Sequence, residues 1–391
     1  MYFQTLDDKS ECVGVYTDGR LHFDEVPSGL TRTWKYTGSI TDPAVEYAWL
    51  YAQGRSLQEV CPEELNERLV ASQKRFRAYL KTFEIGKINL REHCFFDLVP
   101  ESFLMEFCEI KNKITEHIFE TCERPENYEL ISDIQKLLHK IRYQNLNLNK
   151  EGCRELYHSS VGRRKANELM KKHYYIDYNL FGTVTGRLTT RPKSFPILTL
   201  KKEFRRLIKP HNDWFISLDY NGAEVRTFLD LSGIEQPEED IHEWNMKNIF
   251  DEDTDRDTAK TLFFSWLYNP DSDVIQTDYY NRKKVLDKWY DGGYIYTPYK
   301  RKLVVDERKA LNYLIQSTTS DRVLSRAVEI DKFLEGRKSF ISHIVHDEIV
   351  IDFDNKEREL MLDVKQIFEK DNFKANINAG KNYLEFEELK I

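Results

Sequence analysis

Ser339 to Asp354 carries the run FISHIVHDEIVIDFD, and it leaves few options for folding. Two apolar stretches rich in Ile and Val flank His346-Asp347-Glu348. Each is too short for an ordinary helix and is rich in the β-branched residues that favour strands. The segment therefore reads as two strands joined at a turn, with acids at the tip. Trp214 to Asp219, WFISLD, is a second buried-strand pattern that also ends in an acid. If these strands are neighbours in one sheet, Asp219 and Asp347 meet at its edge. Two carboxylates that close do not both stay ionised without a cation. Hard oxygen ligands suit Mg²⁺. A pair of such ions serves in-line displacement at phosphorus.

RDTAKTLFFSWLY, from Arg256 to Tyr268, supplies a second constraint. At every fourth residue it reads Arg256, Lys260, Phe264, Tyr268. On a helix these fall along one stripe. Two cations lead into two aromatic rings, whereas a stripe facing core or solvent would keep one character. A nucleoside triphosphate has the same polarity: anionic at one end, a flat ring system at the other. Arg256 and Lys260 suit phosphates, Phe264 the sugar, and Tyr268 the base region. The alternative is a helix with one buried and one exposed end.

The rest of the chain gives an α+β pattern. ECVGVYTDGRLHFDEVP reads as a hairpin about Asp18-Gly19. Thr41 to Lys87 is expected to be largely helical, broken at Gly54 and Pro62. Leu104–Cys122 and Tyr128–Arg142 are amphipathic helices. Ala223–Leu231 is a helix closed by Gly233, followed by helices over 238–250 and 255–268. Gly292–Val305 is a hairpin turning at Pro298, and 306–334 is a long helix.

Composition narrows the class. The net charge is -8 over 391 residues, with 40% apolar and 32% charged residues. No apolar run approaches the roughly 20 residues of a membrane span. MYFQTLDDKSEC has neither a signal-peptide nor a transit-peptide pattern, so a cytoplasmic location is expected, host cytoplasm if the source is viral. The six cysteines all lie within the first 153 residues and none forms a CxxC pair. Reduced, mostly buried thiols are expected, and His93-Cys94 is not expected to bind zinc. Arg154 to Asp213 holds fourteen Lys/Arg against five acids, whereas Glu235 to Asp257 holds ten acids against two bases. The basic stretch is either a phosphate-binding footprint or a solvated face.

Five stretches, in order, resemble the motifs of family A (DNA polymerase I-like) DNA polymerases. LDYNGAEVR at 218–226 resembles D-Y-S-Q-I-E-x-R. RDTAKTLFFSWLY matches the spacing of R-x3-K-x3-F-x3-Y. IVHDEIV at 344–350 resembles V-H-D-E-I-V. TGRLTT at 185–190 resembles T-G-R-L-S-S, and RKALNYLIQSTTSD at 308–321 resembles R-x3-N-x3-Q-G-T-x2-D. Ile131 to Asn149 is a weaker match to thumb helices. The resemblance implies an α+β right-hand polymerase fold: an antiparallel palm sheet, helical fingers and thumb, and a small N-terminal region. The expected divisions are an N-terminal region of unknown role at 1–103, thumb at 104–165, palm at 166–233, short fingers at 234–305, and palm again at 306–391.

The resemblance also implies templated addition of deoxynucleotides to a primer 3′-OH by two-metal phosphoryl transfer. Asp219, Asp347 and the Tyr220 carbonyl would hold two Mg²⁺, with Mn²⁺ as a substitute, and Glu348 would sit beside them. Lys260 would be the general acid for pyrophosphate, with Arg256 and His242 also on the phosphates. Glu224 would exclude a ribose 2′-OH, and Phe264 and Tyr268 would contact the nucleotide. Arg187 and Gln316 would test minor-groove acceptors. Asn312 and Arg308, one and two turns before Gln316, would also face DNA, and His346 would touch the primer terminus. Primer-template DNA and deoxynucleoside triphosphates are the expected partners, with a monomer and no membrane. A single-subunit RNA polymerase and a non-catalytic DNA-binding protein on the same fold are the alternatives.

Several positions depart from the family pattern. Asn221-Gly222-Ala223 replaces Ser-Gln-Ile, so a family contact there is expected to be absent. Asn269 replaces Gly after the stripe, and SFPILTLKK at 194–202 replaces P-N-L-Q-N-I-P. The N-terminal region is too short for a complete proofreading domain and lacks an opening D-x-E motif. Neither a 3′–5′ exonuclease nor a 5′ nuclease is expected, as in a compact phage-type enzyme.

Overall fold

The computed structural model describes residues 1–171, 174–250 and 253–389. The chain divides into two compact units, Met1–His139 and Lys140–Ile391. In the first unit, β1 (Phe3–Thr5), β2 (Gly14–Thr17) and β3 (Arg20–Phe23) form an antiparallel sheet. The expected β2–β3 hairpin turns at Asp18 and Gly19, both with positive φ. The helices are α1 (Glu63–Ile85), α2 (Glu101–Thr121) and α3 (Tyr128–Tyr143), the last running past the unit boundary. α1 and α2 pack through an aromatic cluster that includes Phe76, Phe83, Phe103 and Phe107.

Two expectations fail in this unit. Between Thr41 and Pro62 only one turn, Ala48–Tyr51, is helical. Trp49, Leu50 and Tyr51 are all buried there, so tertiary packing overrides the local helical pattern. Nor are all the thiols reduced: Cys12 and Cys94 form a disulfide across 82 residues of sequence. Of the four free cysteines only Cys108 and Cys153 are buried.

The second unit carries the motif-bearing elements. β4 (Trp214–Tyr220) leads into α4 (Ala223–Ser232), then α5 (Ile241–Asn248), α6 (Arg256–Tyr268) and α7 (Arg282–Trp289). The hairpin β5 (Tyr294–Tyr296) and β6 (Lys302–Val304) precedes the 27-residue α8 (Glu307–Phe333). β7 (Phe340–Val345), β8 (Glu348–Phe353), α9 (Leu360–Phe368), β9 (Ala375–Gly380) and β10 (Phe386–Glu388) complete the chain. One five-stranded antiparallel sheet runs β7-β8-β4-β9-β10.

The fold answers why the stripe on α6 changes character. Ala259, Phe263, Trp266 and Leu267 are the buried residues of α6, at the i, i+4, i+7, i+8 spacing of a core-facing stripe. Phe263 and Trp266 meet Phe228 of α4 and Tyr280 in one aromatic cluster. Arg256, Lys260, Phe264 and Tyr268 lie along a neighbouring face: Lys260 is exposed, whereas Phe264 and Tyr268 are half-buried and pack against the margin of that core. The helix begins at Asp255, whose side chain caps the Thr258 N–H, and stops at Asn269. Asn269 has a φ of -104°, backbone that any residue adopts, so glycine is not required there.

Candidate active site

The sheet register brings the two acids together. β4 pairs with β8 so that Asp219 lies opposite Glu348, and Asp347 is the neighbouring residue in the two-residue turn between β7 and β8. His346, the first residue of that turn, has a φ of 58°. That left-handed conformation is uncommon for a non-glycine residue and holds the turn, with Asp347, over the end of β4. Burial pushes the Asp219 carboxyl up to about 7, and the Asp347 and Glu348 charges push the same way, against Lys260. A half-buried acid beside two others has the electrostatics of a cation site.

Glu348 is tied back rather than free. Its two oxygens accept hydrogen bonds from Ser217 Oγ at 2.6 Å and Tyr383 OH at 2.7 Å. Among the described residues no group of three His, Cys, Asp or Glu side chains stands ready to hold a metal. This agrees with Glu348 being turned away. The donor set expected from sequence, two Asp carboxylates and the Tyr220 carbonyl, still suits a hard divalent ion. The Tyr220 ring points elsewhere: it stacks on Phe368 at 4.1 Å, and its OH donates to the Phe368 carbonyl.

A second group lies where α6 ends. Glu224, in the first turn of α4, accepts from Arg187 Nη2 at 2.6 Å and, on its other oxygen, from Tyr268 OH. Gln316 of α8 also hydrogen-bonds Tyr268. Burial, then Glu224, raises the Tyr268 phenol, so it stays a donor. Phe264 stacks with Tyr268 at 5.9 Å and 11° between planes. Arg187, Glu224, Phe264, Tyr268 and Gln316 thus form one contiguous wall.

At the other end of the stripe, Arg256 donates to both oxygens of Asp240, at 3.2 and 2.7 Å. His242 is buried, and burial drives its imidazole down to about 4. It is therefore neutral, and its Nδ1 has no hydrogen-bond partner. Its ring lies 6.0 Å from Phe264. Lys260 is exposed. Of three further residues expected at DNA, Arg308 is exposed and paired with Asp271 at 2.7 Å, Asn312 is half-buried, and His346 is exposed beside Asp347.

No protein-family model matches the chain, and no curated protein does. Solved structures do. The polymerase domain of Pol1 from M. smegmatis, in complex with DNA primer-template and dNTP, matches at a TM-score of 0.65, covering 98% of this chain and 95% of that one. Identity is 13%. The chain has the fold of a DNA polymerase domain.

Within this polymerase fold, three supporting residues escaped the sequence reading. Arg226 is fully buried and donates to the carbonyls of Asn221, Pro237 and Glu239. It pins the link between α4 and α5, and its only signal was the terminal Arg of LDYNGAEVR. Tyr383 holds Glu348 from a stretch with no pattern at all. Asn221, at a position where a family contact is expected to be absent, makes two contacts of another kind: its amide donates to Asp240 at 2.6 Å and its oxygen accepts from the Ile241 N–H at 2.9 Å. Gly222 beside it has a φ of 66°, and a Cβ there would collide with Ile241. The glycine thus allows α5 to approach the end of β4.

Proposed function

We propose that this chain is a template-directed DNA polymerase that adds deoxynucleotides to a primer 3′-OH, releasing pyrophosphate and lacking 3′–5′ proofreading. One observation carries the proposal. Register sets Asp219 beside Asp347, and Lys260 of the Arg256–Tyr268 stripe acts on the Asp219 carboxyl. An unrelated strand-end acid and an unrelated amphipathic helix would have no reason to converge.

In this reading Asp219, Asp347 and the Tyr220 carbonyl hold Mg²⁺, which when bound supplies charge neutralisation at the reacting phosphate and acidifies the 3′-hydroxyl. Arg256 and Lys260 bind the triphosphate, and Lys260 protonates the departing pyrophosphate. The neutral His242 offers a hydrogen bond to a phosphate oxygen. Phe264 stacks on the sugar, and Tyr268 borders the base. Glu224, fixed by Arg187 and Tyr268, fills the volume of a 2′-hydroxyl, which favours deoxynucleotides over ribonucleotides. Arg187 and Gln316 then test pair shape from the minor groove. The chain is divided into an N-terminal region at 1–103, thumb at 104–165, palm at 166–233 and 306–391, and fingers at 234–305. It acts as a monomer on primer-template DNA.

Primer extension decides the matter. A matched primer is extended with deoxynucleotides, Asp347→Asn abolishes extension, and a mismatched 3′ end is left uncut. Preferential use of ribonucleotides would overturn the assignment in favour of an RNA polymerase. Undiminished extension by Asp347→Asn would remove that residue from the catalytic set.

A further inference from the structure

Asp240 gathers five donors. The Arg256 Nε and Nη2 bind it at 3.2 and 2.7 Å, the Asn221 amide at 2.6 Å, and the His242 and Glu243 N–H groups at 2.9 and 3.0 Å. The last two make it the N-cap of α5. Asn221 follows the end of β4, two residues after Asp219, so the carboxylate links the acid-bearing strand to the cationic start of α6. The two sets of partners differ in kind. Asn221 and the α5 N–H groups are fixed by a strand end and a helix end. Arg256 reaches Asp240 on a long side chain that is 42% exposed, against 20% for Asp240.

This asymmetry matters for exchange. A partly buried carboxylate that lost its only partners would be left uncompensated. Asp240 without Arg256 keeps three donors and the favourable end of a helix dipole. Arg256 can therefore leave without orphaning Asp240. A fork-shaped guanidinium suits a phosphate as well as a carboxylate, so an arriving phosphate is a direct competitor for the same two N–H groups.

We propose that Asp240 is a phosphate placeholder: in the nucleotide-free enzyme it occupies Arg256, and the triphosphate must displace it. Asn221 is the positioning residue that keeps the vacated carboxylate in place. This rests on the proposed role of Arg256 in binding the triphosphate. The consequence is selectivity. A ligand that offers only one phosphate contact cannot displace Asp240 as readily as a triphosphate that also meets Lys260 and the rings of Phe264 and Tyr268. The Asp240 carboxyl is held well below the usual range: burial raises it, but Arg256, Asn221 and the Glu243 N–H outweigh burial. The placeholder therefore stays charged through the working pH range.

The test compares Asp240→Asn with Arg256→Ala. Asparagine caps a helix about as well as aspartate, so α5 is preserved while the competing charge is removed. Binding of dATP and of inorganic pyrophosphate is measured by calorimetry on the full chain, alongside KM and kcat for primer extension. Asp240→Asn is expected to tighten dATP binding and lower KM about 2–5-fold, the worth of a half-exposed ion pair. Pyrophosphate binding should tighten at least as much, and KM should move more than kcat. Arg256→Ala should weaken both ligands, and Asp240→Asn should then add nothing on that background. Weaker dATP binding by Asp240→Asn, with Arg256→Ala also weaker, overturns the placeholder and makes Asp240 a rigid orienting group. Unchanged binding by Arg256→Ala instead overturns the reading of Arg256 itself.

Discussion

The Arg301–Asp321 pair offers the most quantitative test of how the fold supports the site. Arg301 follows the turn between β5 and β6, and Asp321 lies midway along α8. The guanidinium donates from Nε at 2.9 Å and Nη2 at 2.6 Å to the two carboxylate oxygens. The Asp321 side chain is 0% exposed and that of Arg301 is 11% exposed. Removing one partner leaves the other charge buried and uncompensated, which costs about 3–5 kcal/mol. Replacing both with apolar residues of similar volume removes the pair and both desolvation penalties, and is near neutral. Asp321→Leu alone should therefore destabilise by about 3–5 kcal/mol, whereas Arg301→Met with Asp321→Leu should recover most of the loss. Urea unfolding of the two single variants and the double variant gives the coupling directly. A coupling below about 0.5 kcal/mol would refute the reasoning, because the pair would then be effectively solvated. The effect should reach the site as well. A Cβ on Gly186 would lie 2.7 Å from the Arg301 guanidinium, and the Gly186 carbonyl accepts from Ser320. The pair thus braces the residue before Arg187, and the single variant should lose extension activity while the double variant retains part of it.

Other outcomes test the site itself. Burial and neighbouring acids raise the Asp219 carboxyl to about 7, so the unfolded chain ionises first and stability falls as pH climbs from about 4 to about 7. A Mg²⁺ held there would relieve that penalty, so the Tm gain on adding MgCl₂ should be larger at pH 8 than at pH 5.5; equal gains would count against the proposed cation site. Glu224→Ala removes the acceptor of Arg187 and, on the proposed gate role, should raise ribonucleotide incorporation; an unchanged ribonucleotide-to-deoxynucleotide ratio would take the gate away from this residue. If Phe264 stacks on the sugar as proposed, Phe264→Tyr places a hydroxyl there and should raise dideoxynucleotide incorporation by about fivefold, the worth of one hydrogen bond. A termination assay with no new sensitivity would sink the sugar contact.

Much of the palm and of α6 was legible because the pattern and its cause are local. The FISHIVHDEIVIDFD hairpin, the WFISLD strand and the R-x3-K-x3-F-x3-Y helix each depend on residues within a few positions of one another. Period and capping chemistry therefore write them into the chain. The inner strand β9 and the edge strand β10 beside it were not legible. ANINAG alternates small or apolar residues with Asn, but it is short and carries one Ile as its only large apolar residue, a weak strand signal; β9 nevertheless pairs along the length of β4, because a sheet supplies backbone partners to any sequence that can lie extended. The single turn at Ala48–Tyr51 and the Cys12–Cys94 disulfide were misjudged for the same reason: long-range packing decides both.

The sequence by itself determined which residues would face one another along α6, and that Asp219 and Asp347 would each stand at the tip of a strand. Helical and strand periods fix those relations within a single element. Only the tertiary structure decided that β4 and β8 are neighbours in the register that opposes Asp219 to Glu348. Only it decided that Tyr383 and Ser217 turn Glu348 aside, and that Asp240, held by Asn221, claims Arg256. Those choices depend on strand order and on which buried polar groups must find partners. No short stretch of chain contains both sides of such a contact.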